Sequence, residues 1–143
     1  MFDPLAWIDP LGLKSCPEVI YNEKGQLVAA TATVSIDDLY TGTTTNKTTQ
    51  KFARQLGRAD DDAGHIQGSA LGGAGDMIEN IFPQLPKINR GAYRVFESKV
   101  IEEVIRHGSV DLKWEFIGGD RPTSIIYSVF HKGKLLMFKE FEN

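Results

Sequence analysis

Between residues 60 and 97 the chain reads DDDAGHIQGSALGGAGDMIENIFPQLPKINRGAYRVFE, and His65, Asn80, Asn89 and Glu97 within it are side chains that together can hydrolyse a phosphodiester. That reaction needs a water made nucleophilic, a counter-charge for the pentacoordinate transition state and help for the departing oxygen. One imidazole and one metal ion supply all three. His65 follows Asp62-Ala63-Gly64. The glycine lets the backbone turn sharply, and a nearby backbone carbonyl or carboxylate can fix the ring's tautomer, leaving the other nitrogen as a base. Asp62, which opens this run, is counted among the candidate catalytic residues. Asn80 and Asn89 offer neutral amide oxygens, which suit a Mg²⁺ that keeps most of its waters. If Asn89 opens a helix, Tyr93 and Glu97 lie one and two turns further along on nearly the same face, where Glu97 can hold a metal-bound water.

These residues need elements to hold them. Alternation over 18–21 and 26–35, around the polar turn Asn22-Glu23-Lys24-Gly25, predicts a β-hairpin. Residues 48–56 predict a short helix ended by Gly57, and 60–75 is irregular and Gly-rich, with a short strand before or including His65. Residues 89–107 predict one long helix with an apolar stripe of Ala92, Phe96, Val100 and Val104, broadened by Val95, Ile101 and Ile105 and capped by Gly108. Three strands follow, at 110–117, 124–131 and 135–140, so the fold class is α+β with one antiparallel sheet. Phe82-Pro83-Gln84 reads as a rigid link between the two asparagines.

A chain of 143 residues with 41% hydrophobic and 10% aromatic content fits one folded domain with a tail, and no apolar run is long enough to cross a bilayer. Cys16 is the single cysteine, which excludes an intramolecular disulfide. The net charge of −3 speaks against an all-over basic binder, yet Lys47, Lys51, Arg54 and Arg58 recur at helical spacing with no acidic residue from Thr41 to Ala59. Such a face is either solvated or a phosphate contact. A non-catalytic module that binds nucleic acid or a partner through it is the alternative reading.

Asp62-Ala63-Gly64-His65, Asn80-Ile81-Phe82-Pro83-Gln84, Asn89-Arg90-Gly91-Ala92-Tyr93 and Glu97 together resemble the DNA/RNA non-specific endonucleases of the ββα-metal (His-Me finger) superfamily. The resemblance implies a ββα-metal core and a metal-dependent endonuclease acting on DNA, with RNA as a second substrate. It assigns His65 as general base, Asn89 as ligand of a single Mg²⁺ with Mn²⁺ as the alternative ion, Asn80 in support, and Glu97 ordering metal-bound water. Many members carry Arg where this chain has Ala63. Arg58 is the first replacement expected at the phosphate, with Arg90 and Arg54 beside it.

Residues 4–13, PLAWIDPLGL, resemble the end of an Rhs-type core that precedes variable toxin domains, with Asp3 where Asn is more usual. This implies that 1–13 is the end of that core, cleaved after Leu13 in the full protein, and that 14–143 is a nuclease toxin domain. The expected setting is contact-dependent or type VI-like delivery into a competitor's cytoplasm, with the Rhs core and a cognate immunity protein as partners. Other candidates carry bland readings. Asp60-Asp61-Asp62 lacks the ligand alternation of a Ca²⁺ loop, Trp7 and Trp114 suit packing, His107 suits a helix C-terminus, and His131 suits a solvated turn.

Overall fold

The computed structural model of the protein describes residues 16–143. The 1–13 tail, with Trp7 and the boundary after Leu13, lies outside them. Strands β1 (Glu18–Tyr21) and β2 (Leu27–Ser35) form the expected antiparallel hairpin. Its turn closes on Asn22, whose side-chain oxygen accepts from the backbone N–H of Lys24 at 2.9 Å and of Gln26 at 3.0 Å. Helix α1 (Lys47–Leu56) follows, its first turn capped by Asn46 accepting from the Thr49 N–H at 2.9 Å.

The centre is more ordered than its glycine content predicts. Strands β3 (Asp62–His65) and β4 (Ile81–Gln84) pair antiparallel as a separate two-stranded sheet, with Asp62 opposite Gln84 and His65 opposite Ile81. Pro83, expected in a link, therefore sits in a strand, which it can do because a two-stranded sheet leaves each strand one unpaired edge. The single helix expected over 89–107 is two, α2 (Pro86–Arg90) and α3 (Ala92–His107). Gly91 breaks them, at φ −116° and ψ −104°, which is not a helical conformation. Asn89 thus lies in the last turn of α2 and does not open α3.

Strands β5 (Ser109–Ile117), β6 (Ser124–His131) and β7 (Lys134–Glu142) complete a five-stranded antiparallel sheet of order β1-β2-β5-β6-β7. Alternation places Val110, Leu112, Trp114 and Phe116 on its buried face, beside Ile125, Tyr127 and Val129 of β6. Helix α3 covers that face with Tyr93, Phe96, Val100 and Val104, the Phe96 ring lying 4.8 Å from Tyr127. Val95 and Ile105, expected in the stripe, are exposed, because each is one residue, about 100° round the helix, from a buried position. Trp114 is fully buried. His131 is half-buried, its ring stacked on His107 at 4.5 Å. Among the described residues no helix is long and apolar enough to cross a membrane.

Candidate active site

His65 ends β3, and its Nε2 lies 2.9 Å from the Thr43 carbonyl oxygen. A carbonyl only accepts, so Nε2 carries the proton and Nδ1 keeps its lone pair. Of the two partners expected to set the tautomer, the carbonyl does so. Burial holds the imidazole pKa below its ordinary value, against an upward pull from the Thr43 carbonyl, so the ring is a neutral base around neutral pH. Gly75 makes room for this pair: a Cβ there would come within 2.6 Å of both Nε2 and the Thr43 oxygen.

Asp62 does not touch the imidazole. Its carboxylate accepts from Asn89 Nδ2 at 2.9 Å and from Arg90 Nε and Nη2 at 2.9 and 2.7 Å. A carboxylate accepts only, so the Asn89 amide must point its nitrogen at Asp62 and keep Oδ1 for a ligand. The hairpin thereby holds α2 at Asn89 and fixes which way its amide faces.

Glu97, about one and a half turns into α3, is half-buried as a residue, with Oε2 buried and without a hydrogen-bond partner. Burial raises its carboxyl to about 8, partly offset by the Gly68 backbone N–H and the nearby Arg94. Gly68 leaves room for this carboxylate, since a Cβ there would sit 2.0 Å from Glu97 Oε2; the constraint is softer than at Gly75, where backbone atoms of Thr43 and Thr44 stand in the way. His65, Asn89, Arg90, Arg94 and Glu97 line one cleft of about 420 Å³. A smaller cleft of about 290 Å³ adjoins it at Asn89 and Arg90 and is lined by Arg54, Asp62 and Ala63.

The other expected residues fall differently. Asn80 is fully buried, accepting from the Gln67 N–H at 2.8 Å and donating to the Gln67 and Ala74 carbonyls at 2.9 and 3.1 Å. It shapes the 66–74 loop and lines neither cleft. Arg58, the first choice for the phosphate, lines neither cleft as well, and its backbone N–H is held by Asp61. Arg54 lines the cleft that contains Ala63, which puts a guanidinium beside the position where the motif arginine is missing. Arg94 was not among the residues expected, although its place one turn beyond Arg90, and three residues before Glu97, signals the same face. The aspartate run builds no cation loop: Asp61 is paired with Arg121 and Asp62 with Arg90.

The donor set fits a hydrated divalent ion better than a tightly caged one. Among the described residues no three His, Cys, Asp or Glu side chains cluster as a metal site. What the cleft offers is a neutral amide oxygen of fixed orientation and a buried carboxylate oxygen with no other partner.

Comparison with known proteins agrees with this geometry. The chain is 46% identical over 144 aligned residues to the "Probable deoxyribonuclease RhsA" of Dickeya dadantii (strain 3937), an alignment that covers 99% of this chain and 10% of that protein. The chain thus spans about a tenth of that relative's length. No solved structure matches it. The family model described as DNA/RNA non-specific endonuclease matches residues 20–117, a span that holds His65, Asn80, Asn89 and Glu97. With its β3–β4 hairpin presenting a histidine and the helices that follow presenting Asn89 and Glu97 to one cleft, this chain belongs to the DNA/RNA non-specific endonuclease family and is an endonuclease.

Proposed function

We propose that this chain is a deoxyribonuclease toxin domain that uses His65 as general base and a single Mg²⁺ held by Asn89, with Mn²⁺ as an alternative ion and RNA as a second substrate. The observation that carries the reading is the locked pair at the cleft: an imidazole with Nδ1 free and an amide with Oδ1 free, each fixed by a partner that can only accept. The ion, when bound, supplies positive charge to the phosphate and the leaving oxygen. The remaining tasks fall to the chain. His65 Nδ1 takes the proton of the attacking water, and Glu97 orients water at the ion. Asp62 keeps Asn89 in place. Arg94 meets the phosphate from α3, and Arg54 takes the part of the arginine absent at Ala63. Two of Arg90's nitrogens are spent on Asp62, so it acts mainly as a strut. Lys47 and Lys51, exposed on the same helix as Arg54, extend the basic approach to the cleft.

The preference for DNA is supported by the name of the Dickeya relative, and the toxin setting by its Rhs designation. Within that setting 1–13 is the end of an Rhs core cleaved after Leu13, and 14–143 is the toxin. Delivery is contact-dependent or type VI-like, the site of action is the competitor's cytoplasm, and an immunity protein protects the producer. The nuclease reading predicts that the purified chain degrades plasmid DNA in Mg²⁺, that chelation stops it, and that His65→Ala lowers the rate about 10²–10⁴-fold. Full activity in a folded His65→Ala protein would refute it.

A further inference from the structure

We propose that Tyr40 is a stacking platform for an unpaired nucleobase next to the phosphate that is cut, a deepening that rests on the nuclease reading above. Tyr40 lines the same cleft as His65, Asn89 and Glu97, yet the residue is 73% exposed. A single exposed aromatic is ordinary on a protein surface. This one is not held as an ordinary residue. Its φ is +61°, in the left-handed region that bulky side chains seldom enter.

The surrounding loop enforces that conformation. The Tyr40 N–H donates to the Ala70 carbonyl at 2.8 Å and the Gly42 N–H to the Ser69 carbonyl at 3.0 Å. The Thr41 hydroxyl and N–H both reach the Asp38 carbonyl, at 2.6 and 3.3 Å. Three residues beyond Tyr40, the same loop presents the Thr43 carbonyl that orients His65. The backbone that carries the ring and the carbonyl that orients His65 therefore share one loop frame, so only the two side-chain torsions of Tyr40 are left to be ordered when a flat partner lies on its ring.

The cleft selects the partner. A phosphodiester seated between His65, Asn89 and Arg94 brings its own flanking base with it, and every base has a face that stacks on an aromatic ring regardless of sequence. Inside a duplex both faces of a base are covered by its neighbours. The base over Tyr40 is therefore a single-stranded, terminal or extruded one.

Binding of a fluorescein-labelled single-stranded DNA oligonucleotide, followed by anisotropy in chelator so that nothing is cut, tests this. Tyr40→Ala is expected to weaken binding about 5–100-fold and Tyr40→Phe to leave it within about twofold, as loss and retention of one stacked base require. Tyr40→Asn, a residue that tolerates the left-handed backbone, should match the alanine variant and guards against misfolding. When an abasic nucleotide is moved along the oligonucleotide, one position should erase the difference between wild type and Tyr40→Ala. Unchanged DNA binding by both Tyr40→Ala and Tyr40→Asn would overturn the proposal, including the case where only a protein partner is lost. So would a loss indifferent to every abasic position. Absence of cleavage by the wild-type chain in Mg²⁺, with the binding pattern intact, would instead count against the nuclease reading alone.

Discussion

The Glu97 carboxylate is wedged against Gly68, and its pKa of about 8 means that the metal-free folded chain carries it protonated at neutral pH. In the unfolded chain the same group ionises near 4.5. Below 4.5 both states hold the proton and the site costs nothing. Between 4.5 and about 8 the folded state binds a proton that the unfolded state has released, so this group makes stability fall as pH rises through the window. Glu97→Gln removes the titration while keeping the shape. Thermal denaturation in chelator should show the variant more stable than wild type at pH 8, by about 2–4 °C for each kcal/mol gained, with no gain at pH 4. Nuclease activity should fall in the same variant, since a neutral amide orients water at a cation less strongly than a carboxylate. A lower Tm for Glu97→Gln at pH 8 would show that the carboxylate is charged and stabilised there.

At the scale of elements, the β3–β4 hairpin and the 66–80 connection act as one unit whose turns are built for close approach. Asn80, at the entry to β4, uses its whole amide on the backbone of residues 67 and 74, and this folds the connection back under β3. The fold then brings the 40–43 loop against the connection, with the Gly75 N–H donating to the Thr43 carbonyl at 3.0 Å. Gly75→Ala places a methyl where the His65 ring meets that carbonyl. The overpacking should cost about 1–3 kcal/mol. Because it also displaces the base, kcat should drop at least about tenfold, one pKa unit's worth of misplaced interaction, with KM little changed. Steady-state kinetics beside a thermal melt separate the two effects.

The whole molecule depends on a junction between this unit and the large sheet. Asp61, just before β3, is fully buried and receives Arg121 Nε and Nη2, each at 2.8 Å. Burial alone would raise the Asp61 carboxyl, but the Arg121 and Arg58 contacts bring it below the usual carboxylate value. Arg121, from the β5–β6 connection, also donates to the Asn143 carbonyl. Asn143 in turn donates to the Pro83 and Pro122 carbonyls at 2.9 and 2.7 Å and accepts from the Leu85 N–H at 2.9 Å. One buried cluster therefore pins the start of β3, the end of β4 and the entry to α2, which carries Asn89. Removing one partner of a buried pair strands the other charge, so Arg121→Ala should lower the unfolding free energy by about 3–5 kcal/mol, measured by urea denaturation. A loss below about 1 kcal/mol, as for a surface pair, would show that the junction is dispensable.

What the sequence by itself determined was whatever repeats locally. The hairpin, α1 and the three-strand meander were legible because inward residues recur every second position and helix faces every three or four, as with Val110, Leu112, Trp114 and Phe116 on β5. The histidine, the two asparagines and Glu97 were legible from type and ordered spacing, and that order is what the family model matches. Only the tertiary structure decided who holds them. The partner that sets His65's tautomer is Thr43, 22 residues away, and the partner that turns Asn89 is Asp62, 27 away. Neither contact follows from periodicity, because each depends on which loops close against each other. The same closure brought Arg94 and Tyr40 to the cleft and left Arg58 off it. Gly91 split a helix that the apolar pattern carried straight through, because a pattern of side chains does not record a backbone turn. Spacing named the candidate groups, and folding supplied the hydrogen bonds that give His65 and Asn89 their direction.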